Sequence, residues 1–166
     1  MIIKEYNRTA AVEYARLWWN KRNPAYYNFD KIGGDCTNFA SQCLLAGCQK
    51  MNYTPDHGWY YNNSNDRAPA WTDVDHFYYF LTNNFNTPIG NGLGPFAEDV
   101  SIQNIDIGDF IQLSNDGIDY HHNAIVVDMR NNFPLLSAHT FDTFLRPLNT
   151  YFYNYVRFIH ILGVRK

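Results

Sequence analysis

Apolar residues recur at helical spacing through the first half of the chain and in short alternating or continuous runs through the second. Asn7 or Thr9 can cap a first helix running to about residue 20, with Ala11, Ala15 and Trp18 at i, i+4 and i+7 and Val12 and Trp19 beside them. Asn23-Pro24 stops it, because the residue before a proline disfavours the helical region. Tyr26 to Phe29 reads as an aromatic link and Gly33-Gly34-Asp35 as a turn. A second helix is predicted over 36–46, its stripe made of Cys36, Phe39, Ala40, Cys43 and Leu44, with Gly47 as its stop. Residues 48–71 read as loop. Thr72 and Asp75 then resemble a capping box opening a third helix to about 83, with Val74, Phe77, Tyr78 and Leu81 inward. Residues 84–100, rich in Gly, Pro and Asn, read as loop again.

Strand patterns follow at 109–113, 123–129, 135–140 and 155–164, with Asn131-Asn132 as a turn between the second and third. Helices first and an antiparallel sheet second place the chain in the α+β class, as a single domain over 1–166.

Composition narrows the function. Hydrophobic residues make up 46% and charged residues 17%, a globular balance. The 13 Tyr, 12 Phe and 4 Trp suit a core or a groove for sugars or peptides. With a net charge of −3 and no Lys/Arg run, nucleic acid is excluded as a partner. No apolar stretch approaches the roughly 18 residues of a membrane span. The N-terminus does not read as a signal peptide, which leaves a cytoplasmic protein or a domain of an exported chain. Three cysteines, at 36, 43 and 48, match no zinc spacing.

Of these, Cys36 is the one predicted at a helix start. There the unpaired N–H groups and the helix dipole favour a thiolate, lowering the thiol from ~8.5 to roughly 3.5–7.5 when an imidazolium is near. Cys43, two turns deeper, and Cys48, past Gly47, have no such setting. His122 opens a strand and His139 lies near the end of the next. With the turn centred near residue 131, residues paired across the hairpin have numbers summing to about 261, which would make His122 and His139 cross-strand neighbours on one face, so that His139 can orient His122. His121 and His122 are expected on opposite faces by strand alternation. A zinc set from His121, His122 and His139 with Asp119 or Asp142 is the metal alternative.

Gly33-Gly34-Asp35-Cys36-Thr37-Asn38-Phe39-Ala40-Ser41-Gln42-Cys43-Leu44 resembles the signature of the bacterial putative amidase domain family. Asn23-Pro24, Trp59-Tyr60-Tyr61, Ala70-Trp71, Gly108-Asp109-Phe110-Ile111, His122-Asn123-Ala124-Ile125-Val126-Val127 and Ser137-Ala138-His139-Thr140 with Asp142 match in order. That family is similar in arrangement to the papain-like NlpC/P60 and CHAP cell-wall hydrolases. The resemblance implies a papain-like fold, with N-terminal helices packed on a C-terminal antiparallel sheet. It also implies Cys36 as nucleophile, His122 as base and His139, or else Asp142, as orienter. Asn123 stands where the family usually has a small residue. Asp35, Trp59 and Trp71 are the expected substrate contacts. The implied reaction is cofactor-free hydrolysis of an amide or peptide bond, in peptidoglycan for example, by a monomer. The alternative is a non-catalytic carbohydrate- or peptide-binding module of the cell wall.

Overall fold

A computed structural model describes residues 1–166. The helices are α1 (Arg8–Trp18), α2 (Cys36–Cys48), the short α3 (Pro69–Thr72) and α4 (Val74–Asn86). The strands are β1 (Ile3–Lys4), β2 (Tyr61–Asn63), β3 (Asp66–Arg67), β4 (Gly94–Val100), β5 (Phe110–Ser114), β6 (Tyr120–Arg130), β7 (Phe133–Ala138), β8 (Thr143–Pro147) and β9 (Tyr155–Arg165). Seven of them form one sheet with β9-β5-β6-β7-β8 in succession, β1 beside the far end of β9 and β4 also on β9. Every pairing is antiparallel. The α+β class follows from this sheet and the four helices that precede most of its strands.

The long strands carry two buried sets of residues, one per face. Phe110, Ile125, Val127, Ile159 and Ile161 pack with α1, α2 and α4 through Ala11, Phe39, Leu44, Phe77 and Leu81. Ile111, Leu113, Ala124, Val126, Leu136 and Ala138 form a smaller cluster on the other face, closed by Ile105 and Leu148. Cys36 belongs to neither cluster, although it is buried.

Several boundaries differ from the sequence reading, each for a local reason. Asn7 caps α1 by accepting the Ala10 N–H at 2.9 Å. The cap of α4 is Asp73, whose carboxylate takes the His76 N–H at 2.9 Å, and Thr72 instead ends α3. The predicted loop at 84–100 contains β4. Asn84, fully buried, donates to the carbonyls of Leu93 and Pro95 and accepts the Ile89 N–H, so the Gly/Pro-rich stretch is tied down and delivered to β9.

Gly47 does not end α2. The helix continues to Cys48, and Gln49 takes the left-handed C-terminal position at φ 53°. Glycine is needed at 47 because Tyr6 lies across the helix there, and a Cβ would fall 2.3 Å from Tyr6 Cε2 and 2.8 Å from Asn7 O. Alanine would add about 1 kcal/mol of helix propensity. Displacing Tyr6 costs more, since overpacking typically costs roughly 1–3 kcal/mol and the Tyr6 hydroxyl is also bonded to Gly108 O at 3.0 Å. Gly47→Ala is therefore expected to lower stability by about 1–2 kcal/mol, measured by urea unfolding; an increase would show that Tyr6 yields freely.

Candidate active site

The loop before α2 sets the position of Cys36. Gly33 and Gly34 take φ of +80° and +98°, a conformation that side-chain-bearing residues rarely adopt. Asp35 then stands at the N-cap of α2, but its side chain does not cap the helix. It is 1% exposed and turns back into the protein. There Oδ1 accepts the Phe29 N–H at 2.9 Å and Asn38 Nδ2 at 2.9 Å, while Oδ2 meets His139 Nδ1 at 2.6 Å. Arg22 Nε lies 3.6 Å from the same oxygen. His139 Nε2 faces the carbonyl of Trp18 at 2.8 Å, and its ring stacks on Phe39 at 3.9 Å. Both ring nitrogens of His139 are engaged, one by a carboxylate and the other by a backbone carbonyl.

His139 is thus committed to Asp35 and Trp18, and it does not orient His122. The physical reason is register. Past a register shift between Val126 and Asp128, β6 and β7 pair Ile125 with Ser137 and Val126 with Leu136, one residue away from the pairing that would set His122 opposite His139, so His139 continues on the side of Asn123. A slip of one residue exchanges the two faces of a strand. Asp142 is also unavailable, because it is paired with Arg22 at 2.9 Å. Asp35, Trp59 and Trp71 are not substrate contacts either: they are 1%, 0% and 0% exposed. The Trp59 indole N–H is bonded to Ser41 Oγ at 3.0 Å and that of Trp71 to Asn38 Oδ1 at 2.9 Å. The expected groove rings belong to the core.

Cys36 occupies the first turn of α2, buried with Oγ1 of Thr37 3.9 Å from its sulfur. Burial raises the thiol above its ordinary pKa. The backbone N–H groups of Asn123 and Thr37 and the Thr37 hydroxyl act against that rise. The direction is opposite to the low-pKa thiolate expected from the helix start, since desolvation outweighs the N–H groups there. Asn123, whose amide faces the sulfur, immediately follows His122 in β6. Its own side chain is fully buried, and both amide atoms lack a protein hydrogen-bond partner.

His122 pairs with Leu113 across the ladder and so shares the face of the smaller cluster, 5.5 Å from the Tyr151 ring. Its Nε2 is buried without a hydrogen-bond partner. Burial, then the charges of His121 and Arg146, pull its pKa down from 6.5 to about 4. No hydrogen bond joins this ring to the Cys36 sulfur. His121 and His122 are not on opposite sides as alternation predicts. A bulge at this end of β6 places Tyr120 opposite Ser114, and both histidines line one cavity of about 470 Å³. Thr140 and Phe141 contribute to its wall. Thr140 Oγ1 also accepts the Asp35 N–H at 3.4 Å, so the cavity adjoins the turn that carries Cys36. Arg146 and Tyr151 complete this wall, and neither stands out in the sequence, because β8 is short and half-exposed. The zinc alternative does not assemble: no group of three His, Cys, Asp or Glu side chains converges on a point.

The pattern of the family described as "Putative amidase domain" matches residues 5–162. An uncharacterized protein of Bacillus subtilis (strain 168), YhbB, is 35% identical over 144 residues, a match covering 86% of this chain and 44% of YhbB. The chain therefore spans less than half the length of this relative. No solved structure matches the chain. No helix is long and apolar enough to cross a membrane.

Two outcomes test the geometry of this region. Asp35→Ala strands the N–H of Phe29, the Asn38 amide and the His139 ring together, and is expected to cost about 3 kcal/mol or more in urea unfolding; a loss under 1 kcal/mol would mean that the pair does not hold the turn. For His122, the unfolded chain binds a proton near pH 6.5 and the folded one only near 4. Stability is therefore fully present above about 6.5 and falls as pH drops towards 4. The wild-type chain should lose about 2–3 kcal/mol more than His122→Gln between pH 7 and pH 4; equal losses would place the ring in water.

Proposed function

The chain belongs to the putative amidase domain family, and from that membership and the setting of Cys36 we propose a cysteine-dependent hydrolase of amide or peptide bonds. The observation that carries the reading is the juxtaposition at the start of β6. The sulfur of Cys36 is faced by the N–H of Asn123, and the preceding residue, His122, has a buried, unpartnered ring nitrogen. In the resting protein the thiol and the imidazole are both neutral, the form in which a histidine can accept the thiol proton. In the reaction His122 takes that proton as Cys36 attacks the carbonyl carbon. The N–H groups of Asn123 and of the first turn of α2 stabilise the oxyanion of the tetrahedral intermediate. His122 then protonates the leaving amine, and water, deprotonated by the same ring, releases the acid from the thioester. Catalytic hydrogen bonds commonly tighten only in the substrate complex.

A nucleophile on a helix start and a base on the adjoining sheet is the papain-like arrangement, and we read residues 1–166 as one such domain, related to the NlpC/P60 and CHAP hydrolases. Peptides of the bacterial cell wall are the substrate class this relation favours. In this mechanism His139 is a positioning residue, acting through Asp35 on the turn before Cys36.

The reading is tested with p-nitrophenyl acetate and with peptides released from peptidoglycan. The wild-type chain should show a burst of nitrophenolate and an acetyl adduct on the Cys36 peptide. Cys36→Ala should abolish both, and peptide hydrolysis should fall at least about 10³-fold in Cys36→Ala and in His122→Ala. Hydrolysis surviving in Cys36→Ala, or lost in chelator, would overturn the assignment. Peptide binding without turnover by the wild-type chain would make it a binding module.

A further inference from the structure

The cavity beside His122 contains a cation that amide hydrolysis itself does not use. We propose that Arg146 makes this cavity a carboxylate-binding subsite, so that the preferred substrates are amides bearing a carboxylate on the residue that adjoins the scissile bond. The inference rests on the reading of Cys36 and His122 as the reacting pair.

Three observations carry it. First, the guanidinium of Arg146 is held in place. Its face lies 3.7 Å over the Tyr151 ring, Nε donates to Thr150 Oγ1 at 2.9 Å, and Nη2 donates to Thr150 O at 2.8 Å. Neither of these two bonds uses its third nitrogen, Nη1. A clamped, planar donor loses little further freedom on binding a planar anion. Second, the cation is uncompensated. Arg146 takes part in none of the ion pairs, unlike Arg8, Arg22 and Arg157, and no acidic side chain lines the cavity. Its charge is felt at the proposed base, where it helps hold His122 neutral. Third, the geometry places cation and base on one ring: Arg146 lies on Tyr151, and His122 is 5.5 Å from the same ring. A carboxylate held by Arg146 therefore lies within about one residue of an amide presented to His122.

The remaining wall is apolar. Leu113 lies at the base, and Phe141 and Phe152, 87% and 95% exposed, are bare at the rim. A single guanidinium between apolar surfaces fits a singly charged carboxylate on an acyl chain. A phosphate, with its greater charge, would call for further donors.

The test uses the full chain as Cys36→Ser, titrated with hippurate and with hippuramide, two N-benzoylglycine derivatives that differ only in carboxylate against carboxamide. Hippurate should bind at least about tenfold more tightly at neutral pH, because a hydrogen bond to a charged group contributes roughly 1.5–3 kcal/mol. Arg146→Gln should erase the difference at an unchanged melting temperature, and Arg146→Lys should keep part of it. Should Arg146→Gln fail to fold, raising NaCl from about 20 to about 500 mM must weaken hippurate and leave hippuramide unaffected. Equal affinities, no binding of either compound, a preference that survives Arg146→Gln, or equal competition by inorganic phosphate would each overturn the subsite. The acetyl adduct on Cys36, formed from a neutral reagent, reports separately on the nucleophile. Hippurate preference without that adduct would keep the subsite and remove the catalytic reading; the adduct without the preference would do the reverse.

Discussion

A single buried contact, the carboxylate of Asp35 against the ring of His139 at 2.6 Å, determines where the first turn of α2 meets the sheet. Both side chains are 1% exposed, and the carboxylate also accepts from the backbone of Phe29 and the amide of Asn38. Polar groups at that depth are retained only when their hydrogen-bonding positions are satisfied, and both carboxylate oxygens and both ring nitrogens here have partners. Arg22 spans the outside of the pair, joining Asp30 and Asp142 at 2.9 Å each. The chain segments that begin and end the site, from Trp18 through the Gly33-Gly34 turn to the end of β7, are thereby joined at one point.

From that point the position of Cys36 follows. The residue after Asp35 can go nowhere but into the first turn of α2, against the backbone of β6. Its sulfur is met there by the amide of Asn123, and the desolvation that accompanies the fit keeps it protonated. The same logic governs His122, which the fold buries beside Tyr151 with the charge of Arg146 nearby, so that it too is neutral. The proposed site is therefore assembled as a neutral thiol and a neutral imidazole, and the Asp35–His139 contact beneath it is a scaffold. A histidine whose two nitrogens are occupied by a carboxylate and a carbonyl cannot also hold the His122 ring.

The bulge at the start of β6 has an equal share in shaping the candidate site. It turns His121 and His122 towards one cavity and brings them under the short strand β8, whose Arg146 and neighbouring Tyr151 make the wall. Bulges recur next to functional sites because they re-aim a side chain without dismantling the ladder. The family pattern over residues 5–162 includes this whole construction, from the cap of α1 to the last strand.

Local pattern determined much of this protein. The 3.6-residue stripes of α1 and α2, the Asn7 cap, the turn glycines before Cys36 and the apolar runs of β5, β6, β7 and β9 are short-range properties, and residue types within a few positions specify them. The chemical candidates Cys36 and His122 were legible for the same reason: one is a cysteine at a helix start, the other a histidine at the head of an apolar strand. What tertiary structure alone decided depends on partners far away in the chain. β4 exists because β9 offers it an edge, and α2 needs glycine at position 47 because Tyr6 crosses there. The register that gives His139 to Asp35, and the burial that makes core of Trp59 and Trp71 and raises the Cys36 thiol, arise from packing across more than 100 residues in the case of the Asp35–His139 contact. Periodicity shows which side of a strand a residue takes, but register and desolvation are set by what packs against it.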